Sequence, residues 1–259
     1  ADTCYLPCLN EGGKKRRCYL IMILDDHSRM IVGGQIFYQD NAYNLQTVLH
    51  NAVETYGIPN KLYCDNGAPY RNDQLAMICS SIGTVLLHTA VRDGASKGKV
   101  ERNFRTMKER WLYGLDFAQI GSLKELNDLM SEYIRRHNTT VHSVTKEAPL
   151  TRYTKTNDRV RKPKSREWLD ECFCNRITRN VRRDSTVIID TVMYDVPFEF
   201  IGQKVEIRYL PQKMDMAYIL NNGKRYDLKK TNKNENARTK RQNAMTIDYS
   251  RTGKGEIYV

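Results

Sequence analysis

Three carboxylate residues have the types and positions that metal-dependent chemistry on phosphodiesters requires. Asp65 closes a short apolar run, and Glu101 lies inside a stretch of helical periodicity, residues 97–112. Positions 66 to 100 put 35 residues between the two, and Asp2 lies on an earlier strand-like segment. Carboxylates are natural ligands for Mg²⁺, and two such ions can bridge a scissile phosphate, activating the attacking oxygen and stabilising the leaving one. The three residues together predict a two-metal site for phosphoryl transfer.

Taken singly, two of these carboxylates have ordinary structural explanations. Asp65 precedes Asn66-Gly67, and Asp in that position often begins a turn. Glu101 can pair with Arg105, which follows it by four residues on the same helical face. The combination of a carboxylate at a strand end with one on a basic helix is what favours the metal site.

The elements that must position these residues alternate between strand and helix. Apolar runs and helical spacing predict strands over residues 2–8, 18–24, 30–38, 62–65 and 84–88 and helices over 45–56, from 72 and over 122–137. The small and polar residues of 91–98 predict a mobile loop before the helix that carries Glu101. This order predicts an α/β layer domain.

The helix that carries Glu101 has two contrasting faces. Apolar residues recur at i, i+4, i+7 and i+11 from Val100, whereas Glu101, Arg105 and Lys108 share the opposite side. The carboxylate is therefore expected to point outward, beside cations.

Changes in composition divide the chain into four segments. Residues 1–153 form the predicted α/β core, and the basic residues that follow, with few apolar ones among them, predict a linker over 154–180. Closely spaced short strands predict a small β-barrel over 181–230. The last segment, 231–259, is basic and rich in Asn at its start, which predicts an irregular or disordered tail.

The bulk composition favours a polyanionic partner. Lys and Arg number 42 against 30 Asp and Glu, which gives a net charge of +12 and a pI near 9.3. The seven cysteines are odd in number and lack the paired spacing of a structural zinc site, so they predict reduced thiols of an intracellular protein. No apolar run approaches the length of a membrane span and no signal peptide opens the chain, so we expect a soluble, cytoplasmic protein.

Several segments resemble DDE-type transposases of the retroviral integrase superfamily. They are Asp2-Thr3, residues 24–33, Cys64-Asp65-Asn66-Gly67, residues 97–102, 137–142 and 148–150. The spacing between Asp65 and Glu101 is also the one typical of that family. Residues 194–209 resemble, more loosely, the small barrel of the phage Mu transposase group.

The resemblance implies a ribonuclease H-like fold, in which a mixed five-stranded sheet with flanking helices is followed by a small all-β barrel. It implies that Asp2, Asp65 and Glu101 are the catalytic residues and hold the metal ions. Asp25 and Asp26 compete with Asp2 for the first position. They lie in the turn between the second and third strands, where the family has an acidic residue without a catalytic role, so Asp2 is preferred.

The same resemblance implies the activity and its requirements. The transposase nicks transposon ends by hydrolysis and joins the freed 3′-hydroxyls to target DNA by transesterification, with two Mg²⁺ ions for which Mn²⁺ can substitute. Basic side chains beside the site are expected to bind DNA near the cleaved phosphate; the candidates are Lys97, Lys99, Arg102, Arg105 and Lys108. The rival hypotheses are a metal-dependent nuclease of the same fold and a non-catalytic DNA-binding assembly protein.

The resemblance to DDE transposases also implies the partners of the protein. They are transposon-end and target DNA, further copies of the chain assembled on two DNA ends, and an ATPase that helps to choose the target, with no membrane partner. Domains that recognise the transposon ends are expected before residue 1, and the protein is expected to associate with the nucleoid.

Overall fold

The computed structural model describes residues 1–89 and 94–232, which form two compact units. The first unit contains Ala1–Asn175 together with Leu210–Gln212. The second contains Arg176–Tyr209 and, among the described residues, 213–232. The division after Asn175 falls later than the predicted end of the core at residue 153.

The first unit begins with the predicted antiparallel meander. The strands are β1 (Asp2–Glu11), β2 (Lys14–Leu24) and β3 (Ile31–Phe37), in the order β1-β2-β3. β2 is central, and its side chains from Leu20 to Met22 have no exposed surface, as its unbroken apolar sequence predicts for a strand covered on both faces.

Two helices and two strands follow in the predicted order. They are α1 (Ala42–Tyr56), β4 (Lys61–Cys64), α2 (Asp73–Ser81) and β5 (Val85–His88). The side chains of Asn41 and Asn72 accept hydrogen bonds from the third residue beyond them, which caps the starts of α1 and α2. Gly57 ends α1 with a φ of 105°, a value that disfavours any residue with a Cβ.

The five strands are divided between two sheets. β1, β2 and β3 form one, and β4 and β5 form a parallel pair in exact register from Lys61 opposite Val85. The mixed α/β class is confirmed, whereas a continuous five-stranded sheet is not present as an unbroken ladder among the described residues.

The helix that carries Glu101 begins earlier than the sequence predicts. α3 spans Gly94–Arg110, followed by a short 3-10 helix, Leu112–Gly114. The predicted mobile loop of 91–98 is therefore wrong from residue 94 onward, while residues 91–93 lie outside the described part of the chain. The two faces are as predicted, since Phe104, Met107 and Trp111 are buried and Glu101 is exposed.

β3 is held between two helices. α4 (Leu123–Thr139) packs on one side of it and α1 on the other. A Cβ added at Gly34 would lie 2.7 Å from Ile134 Cδ1 of α4, and one at Gly33 would lie 2.9 Å from Val48 Cγ1 of α1. The two glycines therefore allow both helices to approach the strand closely.

Side chains of α4 also satisfy the outer edge of β3. The amide of Asn138 accepts from the Ile31 N–H at 2.9 Å and donates to the Ile31 carbonyl at 3.0 Å. Asn127 makes the same pair of bonds with Ile36, at 2.8 and 3.0 Å. These two amides take the place of a neighbouring strand.

The segment predicted as a linker contains regular structure that packs in the first unit. α5 (Pro149–Thr154), a 3-10 helix (Asn157–Arg159) and α6 (Arg166–Cys172) follow α4. Leu169 of α6 and Phe173, which directly follows α6, are buried in the same cluster as side chains of α1. His50 on α1 lies 2.7 Å from Asp170 on α6, which ties the two helices together.

The second unit is all-β, as predicted. Its described strands are β6 (Asn175–Asn180), β7 (Thr186–Ile189), β8 (Val192–Asp195), β9 (Lys204–Leu210), β10 (Lys213–Asn221), β11 (Lys224–Asp227) and β12 (Lys229–Lys230). They form two sheets, in the orders β11-β10-β9-β6 and β12-β8-β7, around one apolar core. Asn222 and Gly223 both have positive φ, which suits the tight hairpin between β10 and β11.

Of the predicted tail, residues 233–259 lie outside the described part of the chain. Within the ranges 1–89 and 94–232, none of the helices has the length and apolar character needed to cross a lipid bilayer.

Candidate active site

Asp2 lies at the start of β1, on the face of the sheet that packs against α3. Successive side chains of a strand point to opposite faces, so Asp2 and Cys4 share a face. Burial raises the pKa of the Cys4 thiol, and the ammonium group of Lys108 on α3 opposes this rise. Lys108 therefore lies beside the β1 residue that is next to Asp2 on the same face.

A buried contact of α3 places the helix turn that contains Glu101 at the same end of β1 as Asp2. Two residues beyond Glu101, the buried side-chain amide of Asn103 donates to the Met22 sulfur at 3.1 Å. Met22 is the cross-strand partner of Asp2, and such partners point to one face of the sheet. The turn of α3 that contains Glu101 therefore covers the strand pair to which Asp2 belongs.

Asp65 follows β4 directly and is half-buried. Its Oδ1 accepts a hydrogen bond from the Gly67 N–H at 2.8 Å, so the residue does begin a turn. The Asn66 amide donates to the Thr89 carbonyl at 2.7 Å, and His88 Nδ1 donates to the Asp65 carbonyl at 2.9 Å. These bonds fix the backbone of Asp65 and Asn66 against the end of β5.

A backbone contact brings the Asp2 and Asp65 segments side by side. The amino group of Ala1 donates to the Tyr63 carbonyl at 2.7 Å. Asp2 follows the donor by one residue, and Asp65 follows the acceptor by two. The strands β1 and β4 are therefore neighbours at the end that carries both aspartates.

The three predicted ligands do not form a complete metal site as the side chains stand. Across residues 1–89 and 94–232, no group of three or more His, Cys, Asp or Glu side chains is arranged to hold a metal ion. The fold brings together the segments that carry Asp2, Asp65 and Glu101, and their role as ligands stays a prediction.

The predicted DNA-binding cations all belong to α3. Arg102 and Arg105 are exposed, and Lys108 is partly covered where it approaches Cys4. Lys97 and Lys99 are also residues of α3, but their side chains lie outside the described part of the structure. Both exposed arginines lie on the helix that carries Glu101.

The competing aspartates of the β2–β3 turn have structural partners. Asp25 Oδ2 accepts from the backbone N–H of Ser28 at 2.8 Å and from its hydroxyl at 2.6 Å. Asp26 forms an ion pair with Arg29 at 3.0 Å. Arg29 has a φ of 67°, so these side-chain bonds accompany a tight and unusual turn. Asp25 and Asp26 therefore both take part in the β2–β3 turn, and the preference for Asp2 stays a prediction.

A network around Thr3 was not predicted from the sequence. The Thr3 hydroxyl donates to Asp40 Oδ1 at 3.1 Å and lies 2.7 Å from the hydroxyl of Tyr70. Burial raises the pKa of Asp40, and the negative charge of Asp65 adds to the rise while the Thr3 hydroxyl opposes it. Only the polar types of Thr3 and Asp40, both close to predicted strand ends, hinted at such contacts.

A cavity in the first unit borders only part of the candidate site. Its volume is about 900 Å³, and its lining includes Asp2, Leu24, Asp25 and Lys61. Neither Asp65 nor Glu101 lines it. The cavity is therefore not where the predicted carboxylates converge.

Comparison with protein families gives two matches in the expected order. Residues 1–93 match the integrase core domain, and residues 170–226 match the C-terminal domain of Mu transposase. The resemblance to DDE transposases of the phage Mu group is thereby confirmed.

Individual relatives agree with these matches. The chain is 27% identical over 237 residues to the transposase of transposon Tn552 from Staphylococcus aureus, which covers 82% of this chain and 48% of that protein. The chain thus spans about half the length of the curated relative that it matches.

Solved structures with a similar chain path include retroviral proteins. The catalytic core domain of BIV integrase has a TM-score of 0.47 and 15% identity, covering 61% of this chain and 95% of that one. A chain of the simian T-cell lymphotropic virus intasome has a TM-score of 0.47 and 13% identity, covering 89% and 77%.

Proposed function

We propose that this chain is the catalytic part of a DNA transposase, which nicks transposon ends and joins them to target DNA. The observation that carries the proposal is the presence, on one chain and in this order, of an integrase core match and a Mu transposase C-terminal match. The transposase relative, similar over 82% of the chain, supports it. The net charge of +12 suits a nucleic-acid substrate.

Asp2, Asp65 and Glu101 are the residues proposed to hold two divalent ions. Their donor atoms are all carboxylate oxygens, which suit Mg²⁺ and Mn²⁺. When bound, the ions would activate the attacking oxygen and neutralise charge on the phosphate. The Thr3 N–H donates to the Asp2 carboxylate and the Gly67 N–H to that of Asp65, so one oxygen of each carboxylate is bonded to the backbone beside it.

The proposed reaction is two successive in-line displacements at phosphorus. Water first attacks the phosphodiester at each transposon end, and the 3′-hydroxyl leaves. That 3′-hydroxyl then attacks a phosphodiester of the target, and a target 3′-hydroxyl leaves. Each step exchanges one P–O bond for another, so neither ATP nor a covalent enzyme intermediate is needed.

The exposed cations of α3 are proposed to bind DNA beside the reacting phosphate. Arg102 and Arg105 lie on the helix of Glu101, where a guanidinium can contact backbone phosphates. Lys97, Lys99 and Lys108 complete the proposed set.

Finer features of the architecture belong to the same proposal. The Ala1–Tyr63 bond supports a continuous five-stranded ribonuclease H-like sheet through β1 and β4. The two sheets of the second unit, which share one core, support a small closed barrel. Oligomers on two DNA ends, an ATPase partner and association with the nucleoid remain predictions of the resemblance.

Strand joining is the activity that separates this proposal from its rivals. We would supply the intact protein with pre-nicked DNA ends of the element that encodes it, a target plasmid and Mg²⁺, and measure joined product. We expect Asp65→Asn and Glu101→Gln to lower joining by at least about 100-fold, because loss of a ligand should cost no less than loss of a residue that only supports a ligand, which costs up to about 100-fold. Asp128→Asn and Glu109→Gln, exposed residues on α4 and α3, are matched controls that should retain activity.

Each rival has its own signature in this experiment. Cleavage without any joined product would identify a nuclease. DNA binding without cleavage or joining, unchanged by Asp65→Asn, would identify a non-catalytic assembly protein.

A further inference from the structure

We propose that Thr3, Tyr70 and Asp40 form a positioning network that sets the separation of the Asp2 and Asp65 carboxylates for divalent metal binding. The inference rests on the proposed function, because it assumes that these two carboxylates are ligands. It adds three residues that the sequence motifs do not include.

A continuous path of hydrogen bonds joins the two aspartates. Asp2 Oδ1 accepts from the Thr3 backbone N–H at 2.9 Å, and the Thr3 hydroxyl lies 2.7 Å from that of Tyr70. The Tyr70 backbone N–H donates to the Gly67 carbonyl at 2.9 Å. The Gly67 N–H then donates to Asp65 Oδ1 at 2.8 Å. Thr3 and Tyr70 therefore couple the strand of one proposed ligand to the turn of the other.

The direction of the central bonds follows from the number of available protons. A threonine hydroxyl has one proton, which Thr3 donates to Asp40 Oδ1 at 3.1 Å. Tyr70 must therefore donate its own proton to the Thr3 oxygen. Burial raises the pKa of the Tyr70 phenol, which keeps that donor protonated. The chain of donors runs from Tyr70 through Thr3 to Asp40.

Asp40 anchors this chain to a third element. It directly precedes Asn41, whose side chain caps α1 by accepting from the Asn44 N–H at 2.9 Å. The hydroxyl of Thr3 is thus held between the start of α1 and the loop that follows β4. Tyr70 is only 1% exposed, so the surrounding core limits its movement.

The network lies behind the proposed ligands. Thr3 points to the sheet face opposite Asp2, because the two are adjacent on β1. The three residues would not touch the metal or the DNA. They would act by fixing the backbone from which the carboxylates extend, as outer-shell groups do at other metal sites.

The test measures binding of Mn²⁺ alone to the intact protein by calorimetry, without DNA. Thr3→Val keeps the shape of the side chain and removes both hydroxyl bonds, while Thr3→Ser restores the hydroxyl. We expect Thr3→Val to weaken Mn²⁺ binding by about tenfold or more, the range seen for outer-shell partners. Thr3→Ser should bind as the wild type does.

A tyrosine pair supplies a second variant and its control. Tyr70→Phe removes the donor to Thr3 and should also weaken Mn²⁺ binding. Tyr133→Phe makes the same change at a buried hydroxyl that has no hydrogen-bond partner among the described residues, and should leave binding unchanged. If Thr3→Val does not fold, as judged by thermal unfolding without metal, Tyr70→Phe decides alone.

Two different failures can be told apart. If Asp65→Asn weakens Mn²⁺ binding and Tyr70→Phe and any folded Thr3→Val bind as tightly as the wild type, the positioning network is overturned and the proposed metal site stands. If the wild type binds no Mn²⁺, or Asp65→Asn binds it equally well, the proposed function fails and the network with it.

Discussion

At the scale of single residues, Asp25 and Asp2 differ in the hydrogen bonds that their carboxylates accept. Asp25 accepts two short hydrogen bonds from Ser28, which closes the turn between β2 and β3. Asp2 accepts from the N–H of its own neighbour, Thr3, and lies on the face covered by α3. The first arrangement stabilises a turn, and the second leaves the carboxylate beside the helix of Glu101.

This difference predicts opposite effects of two substitutions. Asp25→Ala should lower the free energy of unfolding by about 2 kcal/mol, because hydrogen bonds to a charged acceptor are worth about 1.5–3 kcal/mol each and water replaces part of them. Asp2→Asn should change stability little but weaken Mn²⁺ binding. Tryptophan fluorescence measures the first effect, since Trp111 and Trp168 both belong to the first unit, and calorimetry measures the second. If Asp25→Ala lost Mn²⁺ binding and Asp2→Asn kept it, Asp25 rather than Asp2 would be the metal ligand.

Asp65 and Glu101 could be chosen from the sequence because each lies in a short segment that resembles the family, residues 64–67 and 97–102, and because their spacing is the family's. Asp40 and Tyr70 could not be found in this way. Their contacts with Thr3 join residues that are 37 and 67 positions apart, and no local pattern encodes such a meeting.

At the scale of elements, α4 supports the edge of the sheet as well as the core. The amides of Asn127 and Asn138 each make two bonds with the backbone of β3. Asn138 is 6% exposed, so the Ile31 groups that it satisfies have little access to water. A single side chain thus holds both a donor and an acceptor of the strand.

Removing that side chain should be costly. We expect Asn138→Ala to lower the free energy of unfolding by about 2–3 kcal/mol, because it leaves a buried N–H and a buried carbonyl without partners. Asn51→Ala, at an exposed position of α1, is the matched control and should have little effect. Denaturant unfolding followed by tryptophan fluorescence measures both variants. Equal stability of the two would show that water replaces the Asn138 bonds.

The type of a helix or strand could be predicted from the sequence where its apolar periodicity was strong, whereas the residues at which it begins and ends often could not. Asn72 and Ser122 mark the starts of α2 and α4 because their side chains cap the helices. The start of α3 was predicted too late, since glycines and a serine have low helical propensity. Packing of Phe104 and Met107 holds that helix regardless of its first turn. The short α6 was missed because it buries few residues.

At the scale of the whole molecule, charge is the property that the sequence gives most directly. The net charge of +12 predicts DNA binding that depends on counterion release. The division into two units was less accessible, because the boundary depends on α6 packing beside α1, a contact between residues about 120 positions apart in the chain.

Salt should therefore weaken binding of the intact protein to DNA steeply. A protein that makes 6–10 phosphate contacts loses about 10³–10⁵ in affinity between 50 and 200 mM salt. Arg105→Gln should reduce the slope of log affinity against log salt by about 1 if Arg105 contacts a phosphate. Arg135→Gln, which removes an exposed arginine paired with Glu132 on α4, is the control. Fluorescence anisotropy with labelled duplex measures both, and equal slopes would remove Arg105 from the DNA contact.

The two asparagines of α4 also affect how copies of this chain can meet. An uncovered edge strand offers its backbone to any similar strand nearby, and the risk of aggregation grows when many molecules gather in a small volume. At β3, Asn127 and Asn138 already bond the backbone groups of Ile36 and Ile31, near the two ends of the edge that an incoming strand would need. Crowding of this chain therefore should not lead to sheet extension through that edge.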